Sequence, residues 1–327
     1  MLLVYPPQVR STEAPLGIAL LSSFLKDRGE DCRCLDLNAE AQAWLLNQDC
    51  GSGAAGRGTA LALRRLDEDR AKLLSPETYT NIDRYRRSVL NLNRVMASNS
   101  SHRRQGVSAS LADYKDASLS PHSTGDLLYA AQHFEENIYY PFFSARLESV
   151  LKEFPTRSIG ISLCYLSQAL ISFALIGFLK RHRPDIKLVL GGSIVNSWVS
   201  LGSLPERELF GGLVDLLLPG RGEDTLETAL CLNEPARASL PREGSPPDFS
   251  DFDQSLYFSP SPILPYTFSS SCPWKRCTFC PEKAENAPYR ALKQDAALAQ
   301  LARLREKHNP ELFHFTDNEL SPHIYRP

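Results

Sequence analysis

Five short apolar segments, each closed by a turn, restrict this chain's architecture more than any other feature. Residues 2–5 are apolar and stop at Pro6-Pro7, and residues 31–37 alternate Cys32, Cys34 and Asp36 against Arg33, Leu35 and Leu37. Residues 158–164, 187–190 and 214–218 complete the set. Helical stretches lie between them. Residues 16–28 place Ile18, Leu21, Phe24 and Leu25 at helical spacing before Gly29, and the apolar stretch 167–183 is closed by Pro184. This alternation predicts a doubly wound, Rossmann-like α/β domain with a parallel sheet, whose ligand sits beyond the carboxyl ends of the strands. Those ends fall at residues 6–14, 164–167, 191–196 and 220–224. Glycines at the last two (Gly191, Gly192, Gly220, Gly222) let backbone approach a large flat or phosphate-bearing ligand, although tight turns without a ligand account for the same residues. Asp224 is the expected N-cap of a helix over 224–231.

Residues 38–155 interrupt the pattern. They are rich in Arg, Asp, Asn and Ser, with a glycine-rich spot at 51–58 and a polar one at 98–106. Helical periodicity at 60–74, 82–96 and 134–154 predicts a helical insertion, partly mobile, carried on the sheet. His102, His122 and His133 lie here and read as surface or satisfied helix residues, because none has a second ligand at helical spacing. Residues 233–262 are rich in Pro, Ser and Glu without periodicity and read as an interdomain linker. The expected units are therefore residues 1–232 and 263–327.

Near the end, Cys272-Pro273-Trp274-Lys275-Arg276-Cys277-Thr278-Phe279-Cys280 puts three thiols on one tight turn. Thiolates select zinc or iron–sulfur clusters over hard cations. Three readings stay open on spacing. A four-cysteine ferredoxin-type cluster needs a fourth thiolate, but no cysteine follows Cys280 and the nearest upstream is Cys231. A structural zinc site needs four closed ligands, and the nearest downstream histidines are His308 and His314. The third is a four-iron cluster held by three cysteines, with one iron open to a substrate. Buried cysteines used as small apolar residues fit poorly, since Ser269, Ser270, Ser271, Lys275 and Arg276 make polar flanks.

The segment 271–281 resembles the cluster loop of the radical S-adenosylmethionine (SAM) enzymes, in a variant with one residue more between the first two cysteines than the commonest spacing. The preceding pieces resemble those members that carry a cobalamin-binding α/β domain ahead of the catalytic barrel. They are Leu3-Val4-Tyr5-Pro6-Pro7, Pro15-Leu16-Gly17, Asp36-Leu37-Asn38, Gly160-Ile161-Ser162, Gly191-Gly192-Ser193, Gly220-Arg221-Gly222-Glu223, and in the linker Pro246-Pro247-Asp248-Phe249 with Tyr257. Two departures stand out: Arg221 replaces an acid of the usual Gly-Glu-Gly-Glu, and Asp-x-His-x-x-Gly, which supplies a histidine to cobalt in many cobalamin proteins, is absent.

The resemblance implies a flavodoxin-like sheet followed by the first part of a radical SAM partial TIM-like barrel, with strands over 263–269 and 312–316 and a helix over 291–308. It implies a [4Fe-4S] cluster on Cys272, Cys277 and Cys280, SAM beside Phe279 and Glu319, and cobalamin against Pro7, Ser162, Gly191, Gly192, Gly220, Gly222 and Glu223. The implied activity is cleavage of SAM to a 5′-deoxyadenosyl radical, most simply for C-methylation of an unactivated carbon. Cyclisation or rearrangement is the alternative, as is a truncated non-catalytic protein that binds cobalamin or a cluster. About four further strand–helix units of the barrel are not in the chain, so a fragment or an incomplete barrel is expected. The substrate would be a small molecule or peptide, and the electron donor a flavodoxin or ferredoxin. A net charge of −2 gives no basic field for nucleic acid or membrane, and no apolar run reaches a membrane-spanning length. Eight cysteines in 327 residues, three of them clustered, fit a reducing cytoplasm better than a disulfide frame.

Overall fold

A computed structural model describes residues 1–48, 56–202, 210, 212–229, 245–280, 283–284 and 287–320. β1 (Leu2–Tyr5) leads through a long loop to α1 (Leu16–Lys26), then β2 (Arg33–Asp36). Chain reversal at the end of α1 uses Gly29 at φ +78°. β2 is shorter than expected because Asp36, at its carboxyl end, caps the next helix, accepting a hydrogen bond from Ala39 N–H at 3.0 Å. That helix, α2 (Leu37–Leu46), begins the insertion.

The insertion continues through α3 (Arg57–Arg64), α4 (Leu66–Leu73), α5 (Pro76–Tyr79) and α6 (Ile82–Arg103). A short antiparallel hairpin, β3 (Val107–Ala109) with β4 (Tyr114–Asp116), precedes α7 (Thr124–Gln132) and α8 (Tyr140–Glu153). The hairpin and α7 have no counterpart in the sequence reading. The described part of the insertion is also more than cargo on the sheet. Leu92, Val95 and Met96 of α6, with Phe134, Tyr139 and Phe143, share one buried cluster with Leu2, Val4, Ile159 and Ile161 of the strands. Much of the expected glycine-rich spot, residues 51–55, lies outside the described residues.

The sheet resumes with β5 (Ser158–Ser162), α9 (Leu166–His182), β6 (Lys187–Gly191), α10 (Ser193–Ser200), β7 (Leu216–Leu218) and α11 (Gly222–Ala229). α9 is buried almost all round, in keeping with its predominantly apolar sequence. At Gly177 it meets the insertion so closely that an added Cβ would lie 1.8 Å from the Ala131 carbonyl oxygen at the end of α7. The five strands pair in parallel in the order β2-β1-β5-β6-β7. The expected α/β, Rossmann-like sheet is present, and its order reverses between β1 and β5, where such sheets open a crevice at their carboxyl ends.

The opposite face of the sheet is covered by α1 and by residues 245–262, which form a packed strap. Phe249, Phe252 and Tyr257 are buried against Ile18, Cys34 and Leu264. Asp251 accepts a hydrogen bond from the Cys34 backbone at 2.9 Å, and Tyr257 donates one to Asp36 at 2.9 Å. The strap leads into β8 (Ile263–Tyr266) and β9 (Ser269–Ser270), then β10 (Arg290–Ala291), α12 (Gln294–His308) and β11 (Leu312–Phe315). β8 and β11 are parallel neighbours, from Ile263 opposite Leu312 to Tyr266 opposite Phe315, so they make one β–α–β unit with α12 as the crossover. Tyr266 donates to Gln300 at 2.9 Å and fixes α12 over β8. Among the described residues no helix is long and apolar enough to cross a membrane.

Candidate functional site

Two cavities meet at the carboxyl ends of the strands. The first is an apolar groove of about 270 Å³ between the sheet and helices α1 and α11. Leu3 and Gly160 form its floor, Leu21 and Leu226 its walls, and Gly191, Gly192, Gly220, Arg221, Gly222 and Glu223 its rim. Gly192 is required there. Its φ is +109°, and an added Cβ would lie 2.3 Å from the Leu163 carbonyl oxygen, so only glycine lets α10 start immediately after β6.

The second cavity, of about 960 Å³, opens over the ends of β1, β2 and β5 and reaches β8 and β11. Tyr5, Asp36, Cys164 and Tyr165 line it from the sheet, and Ile263, Pro265, Phe313 and His314 from the β–α–β unit. Gly17, Ile18, Ser162 and Cys164 border both cavities, which therefore lie next to each other at the switch point. Gln168, the third residue of α9, ties the loop after β5 to the loop after β1. Its side-chain oxygen accepts from the backbone of Cys164 and Tyr165 at 2.9 Å each, and its amide donates to the Pro6 carbonyl at 2.7 Å.

Asp36 and Tyr5 in the cleft are shifted mainly by burial. The Asp36 carboxyl is pushed up to about 6 by burial, against hydrogen bonds from the Ala39 backbone and Tyr257. The Tyr5 phenol is raised well above its ordinary value by burial, with Cys164, Tyr165 and Asp36 adding to the rise. At the far wall His314 Nδ1 lies 2.8 Å from Glu13, joining β11 to the loop before α1.

The cysteine loop follows β9. Cys272, Cys277 and Cys280 are free, partly exposed thiols. Two residues hold the loop's turns in the left-handed region, Ser271 at φ +64° and Lys275 at φ +49°, and both donate hydrogen bonds to the Ala287 carbonyl. Among the described residues no group of three His, Cys, Asp or Glu side chains is gathered closely enough to hold a metal ion. Trp274 is 59% and Phe279 87% exposed, and Arg276 stacks over Trp274 at 5.1 Å.

The sequence-derived residues fall in different places. Ser162, Gly191, Gly192, Gly220, Gly222 and Glu223 line the groove. Pro7 is buried within the loop after β1 and lines neither described cavity. Glu319 is exposed past β11 and lines neither as well. Its neighbour Asp317 has the structural part: its carboxylate accepts from the backbone N–H groups of Phe268 (2.9 Å) and Ser269 (2.6 Å) and from the Ser269 hydroxyl (2.6 Å). Asp317 thus braces the segment that leads into the cysteines, a role that becomes visible only once β11 lies beside β8. Arg221 and Asp224 tie the groove to the same segment. Arg221 donates to Ser270 at 2.9 Å, and Asp224 pairs with Arg290 at 3.8 Å. Asp224 lies inside the first turn of α11, where the Arg221 carbonyl accepts its N–H at 3.1 Å, so it is not the cap.

No family model, curated protein or solved structure matches this chain.

Proposed function

We propose that this chain is a cobalamin-dependent radical SAM enzyme, most simply a C-methyltransferase. The observation that carries the reading is the cleft across the switch point of the sheet, walled on its far side by the β–α–β unit whose first strand runs on towards the three-cysteine loop. A carrier of one large flat cofactor does not require a thiol-rich loop joined to the rim of its pocket. An enzyme that brings two cofactors to one substrate does.

The donor chemistry fits. Three thiols on one turn suit an iron–sulfur cluster, and with three protein ligands one iron stays open to SAM. Cys272, Cys277 and Cys280 would hold the cluster, and Phe279 would pack against the adenine of SAM. The narrow apolar groove suits the nucleotide tail of cobalamin and the wider cleft its ring. Among the described residues no histidine lines the groove, and the one in the wider cleft, His314, is engaged with Glu13. β8, α12 and β11 would be the opening unit of a partial TIM-like barrel. Bound here, the cofactors supply a 5′-deoxyadenosyl radical and a transferable methyl group. The chain's own part is to hold them in register, to shield the cleft with Tyr5, Ile263 and Phe313, and to accept an electron donor of flavodoxin or ferredoxin type at the exposed loop.

The test is anaerobic reconstitution with iron, sulfide and hydroxocobalamin, then gel filtration and metal analysis. About four irons and about one corrinoid per chain are expected. Zinc in place of iron, or a colourless protein, refutes the cluster; iron without corrinoid refutes the cobalamin half alone.

A further inference from the structure

The helical insertion carries a charge that the chain as a whole does not. Residues 57–104 hold eleven Lys or Arg against five Asp or Glu, a net of +6, in a chain whose total is −2. Four of these arginines line a surface groove of about 550 Å³ between α3 and α6, which shares no residue with the two cavities at the sheet. From α6 come Asp83, Arg86, Arg87, Leu90, Asn91 and Arg94, at the intervals of three and four that place residues on one helical face. Leu61 of α3 and Arg65 just after it form the opposite wall.

The charge on the α6 side is uncompensated. Arg65 pairs with Glu68 at 3.4 Å, but the Arg94 Nη1 donates only to the neutral Asn91 side chain, at 3.1 Å. Among the described residues Arg86, Arg87 and Arg94 pair with no carboxylate, although Asp83 stands three and four residues before the first two. All three arginines are exposed, so their donors are open to a ligand. Like charges at this spacing destabilise a helix, and an anionic partner relieves them. Leu61 and Leu90, 49% and 45% exposed, line the same groove, which therefore offers apolar contact as well as positive charge.

We propose that this groove docks an acidic, amphipathic segment of a partner polypeptide. Carboxylates of the segment meet Arg86, Arg87 and Arg94, whose planar forks match them two bonds at a time, and an aliphatic side chain rests on Leu61 and Leu90. Arg86 to Arg94 spans about 12 Å of helix, the reach of about four extended residues or two helical turns of a bound peptide. Nucleic acid is the poorer match. No aromatic side chain among the lining residues offers a base a stacking platform, and Asp83 at one end of the groove opposes a continuous run of phosphates. The same carboxylate gives the docked segment a direction, with its acidic residues towards Arg87 and Arg94. The assignment is independent of the cofactor reading, because none of these residues borders the cavities given to the cofactors.

The experiment is fluorescence anisotropy on the full chain at low salt, with three labelled probes. The first is a peptide of glutamate and leucine about twelve residues long, enough to cover the groove as a helix. The second is the same peptide with lysine for glutamate, and the third an oligothymidylate of similar length. The glutamate peptide should bind and the lysine peptide should not, with affinity falling as salt rises. Arg86→Glu with Arg87→Glu should weaken the glutamate peptide by about tenfold or more, because attraction at two positions becomes repulsion. Arg303→Glu with Arg305→Glu, the same change in net charge on α12, should leave it within about twofold. Leu90→Ser should weaken it by about threefold, which a purely electrostatic contact would not show. The substituted arginines are exposed, and circular dichroism confirms that the variants fold. No binding of the glutamate peptide, or equal loss in both double variants, overturns the site. Oligothymidylate bound as tightly as the peptide and lost in the same Arg86/Arg87 variant assigns the groove to a phosphate polyanion and overturns the peptide reading.

Discussion

Replacing Asp317 with alanine should loosen the segment that carries the cysteines. The Asp317 carboxylate accepts from two backbone N–H groups, Phe268 at 2.9 Å and Ser269 at 2.6 Å, and from the hydroxyls of Ser269 at 2.6 Å and Thr267 at 3.2 Å. Phe268 and Ser269 are both 5% exposed, so water cannot easily take over as acceptor. Thr267 retains the Ser269 carbonyl at 2.6 Å and contributes little to the difference. The cost comes from the two backbone donors. At about 1–3 kcal/mol for each buried donor deprived of its acceptor, Asp317→Ala should destabilise by about 3 kcal/mol. Asp317→Asn keeps one oxygen acceptor and should cost about half of that. Urea unfolding followed by circular dichroism measures both, with the midpoint shifting at constant slope. A loss below about 0.5 kcal/mol for Asp317→Ala, the range of an ordinary surface change, would show that the brace is not needed. Iron retention after reconstitution should fall in the same order, alanine below asparagine below wild type.

Asp36 gives a pH signature. Its carboxyl rises from 3.8 in a free chain to about 6 in the fold, so between those values the folded state holds more protons. Stability should fall as pH rises through that window, by up to about 3 kcal/mol at 1.36 kcal/mol per unit. Asp248 works in the opposite direction: its carboxyl is depressed, with hydrogen bonds and charge from Lys26 overcoming burial, and its contribution is lost on acidification. The difference between wild type and Asp36→Asn, measured by thermal melting from pH 4 to 7, isolates Asp36; a constant difference would contradict the burial argument. Gly192→Ala should cost well over 2 kcal/mol and distort the groove, because the backbone adopts φ +109° and the methyl group meets a carbonyl oxygen at 2.3 Å. Melting together with corrinoid titration checks it, and an unaltered melt would refute it. Gly177→Ala should detach the insertion from α9, with the Ala131 carbonyl 1.8 Å from the new methyl, and limited proteolysis should then cut within the insertion.

Much of the sheet was legible because β1, β6 and β7 are short apolar runs ended by proline or glycine, α1 has the helical period, and α9 is a predominantly apolar stretch closed by Pro184. α10 was not, since Ser193–Ser200 is short and begins in the strand-end glycines. The hairpin over Val107–Ala109 and Tyr114–Asp116 was missed because its strands are three residues each. The strap was misjudged for a different reason. A stretch rich in proline and serine reads as linker, yet Phe249, Phe252 and Tyr257 anchor it through long-range contacts that no local pattern encodes. At the site, glycines at strand ends marked the groove from sequence alone. The wider cleft was hidden because it exists only where residues near 5, 36 and 164 meet residues near 263 and 313. Arg221 was noticed as a departure, but its burial and its bond to Ser270 required the fold.

The central claim is that Cys272, Cys277 and Cys280 hold an iron–sulfur cluster with one iron open to SAM. Electron paramagnetic resonance of the anaerobically reconstituted, reduced protein tests it most directly. The account predicts a cluster signal that shifts on adding SAM and is lost when any of the three cysteines is replaced by alanine. A signal indifferent to SAM, or one that survives all three substitutions, would contradict it.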